Sequence, residues 1–323
     1  MPIHVNVDNF ARAETERMFA DLQRDAGGVN RLRHNREPAS VDEQTVIRLN
    51  RDTLYSFGVV DLAGGATVTV PEHGDRYVSV MIVNQDHYVN RILHEAGEHH
   101  LTSEEFGTRY VVVAVRTLVD PSDSADVAEV AALQDRFGIV APSAVPFEMP
   151  AYDPTSFDET RSGLLGLARG LDAFDRMFGT RSEVDPVRHL IGTAAGWGGL
   201  PTSEATYVGV DPRLPVGAYE LNVGDVPVDA FWSISVYNAA GYFEPNPAGA
   251  YSVNSVTGVR EQDGSITVRF GDHGPSAANV IPISEGWNYL VRLYRPRPEI
   301  LDGTWRFPSL QTGDRQQAGT AAS

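Results

Sequence analysis

The side chains able to do acid/base or binding chemistry gather in a few short segments of this chain. NRDTLY, Asn50 to Tyr55, places an amide, a carboxylate and a phenol at the head of a β-type run. Such groups are costly to bury unless they are hydrogen-bonded. In a cleft, Asp52 is a base, Tyr55 a hydrogen-bond donor and Asn50 an orienting amide. In a turn, Asp52 and Thr53 cap the chain and Tyr55 bonds between sheets. NQDHYV, Asn84 to Val89, turns an apolar alternation suddenly polar. Asp86 and His87 are neighbours, so on a strand they face opposite sides. A carboxylate and an imidazole at a strand end suit general acid/base catalysis, because histidine titrates near neutrality. The alternative is a strand running out into solvent. Arg116 closes the apolar run YVVVAVR; it either pairs with an acid or clamps a substrate carboxylate bidentately. In RHLIGTAAGWGG, His189 stands at a helix end as a candidate proton shuttle. Trp197, set among glycines, is a stacking platform or lid, or the plug of an interdomain crossover. The glycine spacing is not that of a dinucleotide fingerprint. Tyr237, with Asn238, Arg292 and Tyr294, is a candidate lining of the interdomain face.

A metal site is the side branch. His87, His94, His99 and His100 lie close in sequence to Glu95 and Glu98. A hairpin turning at Ala96-Gly97 would bring His94 near His99, and two histidines with a carboxylate hold a divalent transition metal. A solvated His/Glu loop is the competing reading, and no metal or other cofactor is expected.

Composition excludes several chemistries outright. There is no cysteine, hence no disulfide, no thiolate nucleophile and no Cys-ligated zinc or Fe–S cluster. All 26 basic residues are Arg. The absence of lysine removes a Schiff-base lysine, and with it ordinary PLP chemistry, and a nucleotide P-loop. A net charge of −17 repels phosphate backbones and anionic membranes, so neither nucleic acid nor membrane is an expected partner. No apolar run approaches the roughly 20 residues that span a bilayer. The N-terminal residues lack the basic and apolar regions of a signal peptide. A cytoplasmic protein is therefore expected, a trimmed exported form being the alternative. No G-x-S-x-G elbow or H-E-x-x-H motif occurs.

The elements that must position these residues are read from periodicity. Residues 8–25 form an amphipathic helix, capped by Asp8 or Asn9 and ended by Gly27-Gly28. From about Ser40 the alternation becomes that of strands, in TLYSFGVVDL, ATVTV, RYVSVMIV and RYVVVAVRTLV. Helical spacing returns after Asp120 with Val127, Val130, Leu133 and Phe137, and again with Leu164, Leu167, Leu171, Phe174 and Phe178. Gly192 to Gly199 reads as irregular chain. Period-two rows then resume around Trp232, Ile266 and Tyr289, with a turn at Asp263-Gly264. The expected organisation is an N-terminal helical segment (1–39), a β-sandwich domain (40–119), a helical insertion (120–190), a jelly-roll domain (191–310) and a disordered tail (311–323).

NRDTLYSFGVVDL, RYVSVMIVNQDHYV and RTLVDPSDSADVAEVAALQD resemble the bacterial domain of unknown function numbered 1254. VDPVRHLIGTAAGWGGLP, FWSISVYNAAGYF and VRLYRPRPEILDGTWRFP resemble the domain of unknown function numbered 1214. The resemblance covers roughly Ser40 to Leu310 and implies a mainly β chain with an α insertion. Its domains would be an immunoglobulin-like β-sandwich, a helical segment and a C-terminal jelly roll. Many members carry Arg-Tyr where this chain has Ala250-Tyr251, and Asn-Trp-Leu-Pro where it has Asn279 to Pro282. The resemblance implies no activity.

The expected function is a small-molecule enzyme, of hydrolase or lyase type, with its site where NRDTLY, NQDHY and GWGG converge in an interdomain cleft. Asp52 or Asp86 is the base, His87 or His189 the shuttle, Tyr55 the donor and Arg116 the anchor. The alternatives are a non-catalytic small-ligand-binding protein using the same cleft, and a structural or assembly protein. A homo-oligomer is a generic expectation.

Overall fold

The computed structural model describes residues 1–44, 46–171 and 174–310. The expected tail at 311–323 lies outside them. Within the described residues the chain forms two compact units, one of residues 1–38 with 51–207 and the other of 39–50 with 208–310. The structure is mainly β, with 27% of residues in strands against 20% in helices.

In the first unit the elements run α1 (Phe10–Ala26), β1 (Arg33–His34), β2 (Thr53–Asp61), β3 (Ala66–Val70), β4 (Val78–Asn84) and β5 (Val89–Leu93). They continue with β6 (Gly97–Leu101), α2 (Ser103–Phe106), β7 (Tyr110–Leu118), α3 (Ser124–Gln134), β8 (Gly138–Val140), α4 (Pro154–Leu167) and α5 (Pro186–Gly196). Two antiparallel sheets result, ordered β1-β2-β7-β4-β5 and β6-β3-β8. Alternation decides which residues of these strands are core. Val60, Val78, Val80, Ile82, Val111, Val113 and Val115 of the larger sheet join Ala66, Val68, Val70 and Leu101 of the smaller one in a single apolar cluster. The helices α1, α4 and α5 share a second cluster built on Phe10, Ala13, Phe157, Leu164, Ile191 and Ala194.

The second unit holds β9 (Ala205–Val210), within which the chain crosses from one unit to the other. It continues with β10 (Tyr219–Val223), β11 (Trp232–Tyr237), β12 (Ser252–Asn254), β13 (Ile266–Phe270), β14 (Val280–Ile281), β15 (Asn288–Tyr294) and α6 (Pro298–Leu301). Its sheets are ordered β12-β11-β15-β9 and β10-β13-β14, with β13 and β14 parallel. Their inner residues, among them Trp232, Ile234, Val268, Phe270, Trp287 and Val291, form one cluster.

Several local expectations change. Helix α1 ends as expected, at Gly27 in the left-handed region (φ 72°), but Asn9 makes no side-chain cap. Its Oδ1 accepts instead from the Asn6 amide. Helix α4 stops at Leu167, and Leu167, Leu171 and Phe174 are exposed; Gly170, at φ +81°, turns the chain away there. Helix α5 carries Gly192 to Gly196, which the glycine-rich sequence suggested were irregular. Among the described residues no helix is long and apolar enough to cross a membrane.

Candidate functional site

NQDHYV is a turn rather than a strand end. It joins β4 to β5, and Asn84 organises it. The Asn84 Oδ1 accepts from the Asp86 and Tyr88 amides, at 3.0 and 2.9 Å, while its Nδ2 donates to the Phe106 carbonyl. The turn holds His87 in the left-handed region, at φ 64°, which is uncommon for a residue with a Cβ. Asp86 and His87 therefore diverge. The Asp86 carboxylate takes a bidentate bond from Arg12, at 2.7 and 2.8 Å. His87 points inward and is fully buried.

The hydrogen bonds of His87 decide its tautomer. The Gly198 amide donates to Nε2 at 2.9 Å, so the ring proton sits on Nδ1 and is given to Thr193 Oγ1 at 2.7 Å. The Thr193 hydroxyl in turn donates to the His189 carbonyl. The ring stacks on Trp197, with centroids 5.3 Å apart, and on His189 at 5.5 Å. Burial, and then the proximity of His189, hold the His87 pKa well below its ordinary value. His189 is buried too, near the start of α5, and its two ring nitrogens face the Met177 and Asp86 carbonyls. A neutral imidazole donates to one of them, a protonated one to both. Tyr88 stacks on its ring at 4.7 Å. Trp197 donates through Nε1 to Thr15 Oγ1 of α1. Thus His87, His189 and Trp197 form one stack that seats the GWGG segment on the β4–β5 turn.

Gly198 carries that stack to the sheet. Its carbonyl accepts from Arg116 Nη2 at 2.7 Å, and the Arg116 guanidinium lies 5.4 Å from the Tyr55 ring centroid. Arg116 is opposite Tyr55 on one side and opposite Ser79 on the other. One step beyond the Val80–Leu93 pair, Ser79 leads to His94. A polar row, Tyr55–Arg116–Ser79–His94, thus crosses four adjacent strands on the face away from the shared sheet core. His94 Nε2 meets Glu204 Oε2 at 2.9 Å, and its Nδ1 faces the Val78 carbonyl at 2.8 Å. The Tyr77 ring lies 6.0 Å from the His94 ring. Burial pushes the Tyr77 phenol up, so it stays protonated at any ordinary pH. Asp52 is fully buried at the head of β2, its carbonyl accepting from the Val119 amide.

Of the residues expected from sequence, Tyr55, His87, Arg116, His189 and Trp197 are brought into one linked set in the first unit. Tyr77, Ser79 and Glu204 join it unannounced; the polar Ser79 inside RYVSVMIV was the one available signal. Asn50 and Tyr237 belong to the second unit. There Tyr237 Oη donates to the Leu49 carbonyl and receives Arg292 Nη2, each at 2.7 Å, and Asn50 Nδ2 donates to Tyr294 Oη at 3.1 Å.

The hairpin at Ala96-Gly97 that a metal site would need does not form. β5 pairs with β4, whereas β6 pairs with β3, so His87, His94 and His99 part company. His99 Nε2 bonds the Glu95 carbonyl. Among the described residues no three His, Asp or Glu side chains are grouped to hold a metal ion.

Among solved structures, the VPA0106 protein from Vibrio parahaemolyticus shares the fold with a TM-score of 0.73 at 17% identity, covering 94% of this chain and 97% of that one. An uncharacterized protein from Burkholderia cenocepacia gives a TM-score of 0.51 at 14% identity, covering 94% and 86%. No curated protein matches the chain. Residues 29–101 match the family described as a protein of unknown function, DUF1254, and residues 215–298 match DUF1214, described in the same words. The two matches, DUF1254 towards the N-terminus and DUF1214 towards the C-terminus, are the combination its motifs resembled.

Proposed function

We propose that the protein is an enzyme acting on a small anionic molecule by acid/base chemistry, of hydrolase or lyase type, at the polar row of the first unit. The observation that carries this reading is the His94–Glu204 pair at 2.9 Å, set at the end of the Tyr55–Arg116–Ser79 row. Polar and ionisable side chains across four strands of an otherwise apolar face are expensive to keep, and such groups converge where chemistry needs them. Arg116 anchors the anionic group of the substrate. Tyr77, held protonated, donates a hydrogen bond to developing negative charge. The proton moves through the imidazole–carboxylate pair, whose side chains are 17% and 21% exposed and so meet solvent. His87 and His189 act as positioning residues, through Gly198 and its bond to Arg116. As for the fold, the two sheets of the first unit form an immunoglobulin-like sandwich and those of the second a jelly roll. The single apolar cluster shared by each sheet pair supports this finer reading.

The test is turnover of a panel of small carboxylate-bearing esters, amides and hydroxy acids, followed by mass spectrometry. The wild type is expected to consume at least one of them. Glu204→Gln lowers kcat at least about a hundredfold, the usual worth of a general acid/base group, with Tm within a few degrees of wild type. Tyr77→Phe lowers it less. Variants as active as the wild type would sink the assignment. Ligand-induced stabilisation without product would replace the enzyme by a binding protein.

A further inference from the structure

We propose that a cleft between α1 and α4 binds a small monocarboxylate with a flat apolar body. It lies wholly within the first unit and is separate from the polar row. The cleft has a volume of about 450 Å³, within the roughly 300–1,000 Å³ typical of small-molecule sites. Arg17 of α1 and Arg161 of α4 stand in its wall, and Met149, Tyr152 and Phe157 supply apolar surface.

The two arginines differ in how they are used. A single carboxylate, Glu14, is buried between them at 2% exposure. It takes two hydrogen bonds from Arg17, at 2.7 and 3.1 Å, so that guanidinium is committed. Arg161 Nε forms a looser ion pair with the same carboxylate at 3.6 Å, beyond hydrogen-bond reach. Arg161 makes one long hydrogen bond, from Nη2 to the Ala194 carbonyl at 3.4 Å, and its buried Nε has no acceptor among the described residues. A guanidinium carries five N–H donors in a planar fork that fits a carboxylate. Arg161 lines the cavity with donors to spare, and a carboxylate is the ligand group that such a guanidinium takes.

The rest of the wall defines the body of the ligand. The Tyr152 hydroxyl is occupied by Glu16 Oε2 at 2.6 Å, so this residue offers its ring rather than a polar handle. Phe157 is held from behind by Phe10, with ring centroids 5.9 Å apart. Met149 is exposed and unbranched, and so adapts to a flat face. Asp158 lines the same cleft and repels a second negative charge, which selects a monoanion over a phosphate dianion.

The experiment is calorimetric titration of the full chain with phenylacetate and, separately, with inorganic phosphate. The wild type is expected to bind phenylacetate and not phosphate. Arg161→Gln weakens phenylacetate at least tenfold; circular dichroism and Tm establish that the variant is folded. Met149→Ala, at an exposed position that cannot unfold the protein, weakens it a few-fold by removing apolar wall. No heat with phenylacetate, equal affinity in Arg161→Gln, or tighter binding of phosphate would each overturn the proposal.

Discussion

At the scale of single residues, His87 and His189, which sequence marks as acid/base candidates, are held through both ring nitrogens and a stacked ring face. His87 receives the Gly198 amide, gives its proton to Thr193 and is covered by Trp197. Its pKa is depressed by burial and by His189, which ties stability to pH. The unfolded chain takes up this proton near the ordinary value of 6.5, whereas the folded chain takes it up only at much lower pH. Stability is therefore complete above that value and is lost as pH falls, by up to about 1.4 kcal/mol per pH unit for one proton. Urea unfolding between pH 7.5 and 5 is expected to show a shallower decline for His87→Gln than for wild type. At pH 7.5 the variant is itself less stable, by about 1–3 kcal/mol, for the disturbed buried bonds. Parallel pH profiles would mean that His87 protonates as freely folded as unfolded.

Elements depend on backbone approaches that residue types only partly announce. Gly58 in β2 lies beneath the chain entering β1, and a Cβ there would meet the Arg31 carbonyl oxygen at 2.4 Å. Gly58→Ala is expected to cost about 1–3 kcal/mol by forcing β1 off the sheet edge. Gly163 in α4 has open space around its Cβ position, and Gly163→Ala should stabilise by about 0.5–1 kcal/mol. Chemical denaturation of both variants checks the pair, and a neutral Gly58→Ala would show that β1 is not held there. The same contrast explains what periodicity reveals. β4 and β7 were legible because buried strands show as Val/Ile/Met runs, and the Asp263-Gly264 turn because Gly264 takes φ +86° before β13. The partners of β5 and β6 were not legible. Adjacent strands with a Gly turn predict a hairpin, yet β5 pairs with β4 and β6 with β3, in different sheets. The Tyr55–Arg116–Ser79–His94 row needs the register of four strands, which no local spacing contains.

At the scale of the whole molecule, the chain is not a simple tandem. Residues 39–50 leave the first unit and pack in the second, where they supply backbone acceptors. The Leu49 carbonyl accepts from Tyr237 and Arg292, the Arg48 carbonyl from Arg292, and the Gln44 amide exchanges hydrogen bonds with both backbone groups of Phe243. Tyr237 and Arg292 are at most 3% exposed. Removing these acceptors leaves a buried guanidinium with lost partners, at about 1–3 kcal/mol for each unsatisfied group and more for a charged one. Residues 208–310 expressed alone should therefore lack cooperative unfolding and native near-UV circular dichroism. The same residues joined through a flexible linker to 39–50 should regain both, because the segment is then present at high effective concentration. A stable, cooperatively folding 208–310 fragment would show that residues 39–50 decorate the second unit rather than complete it.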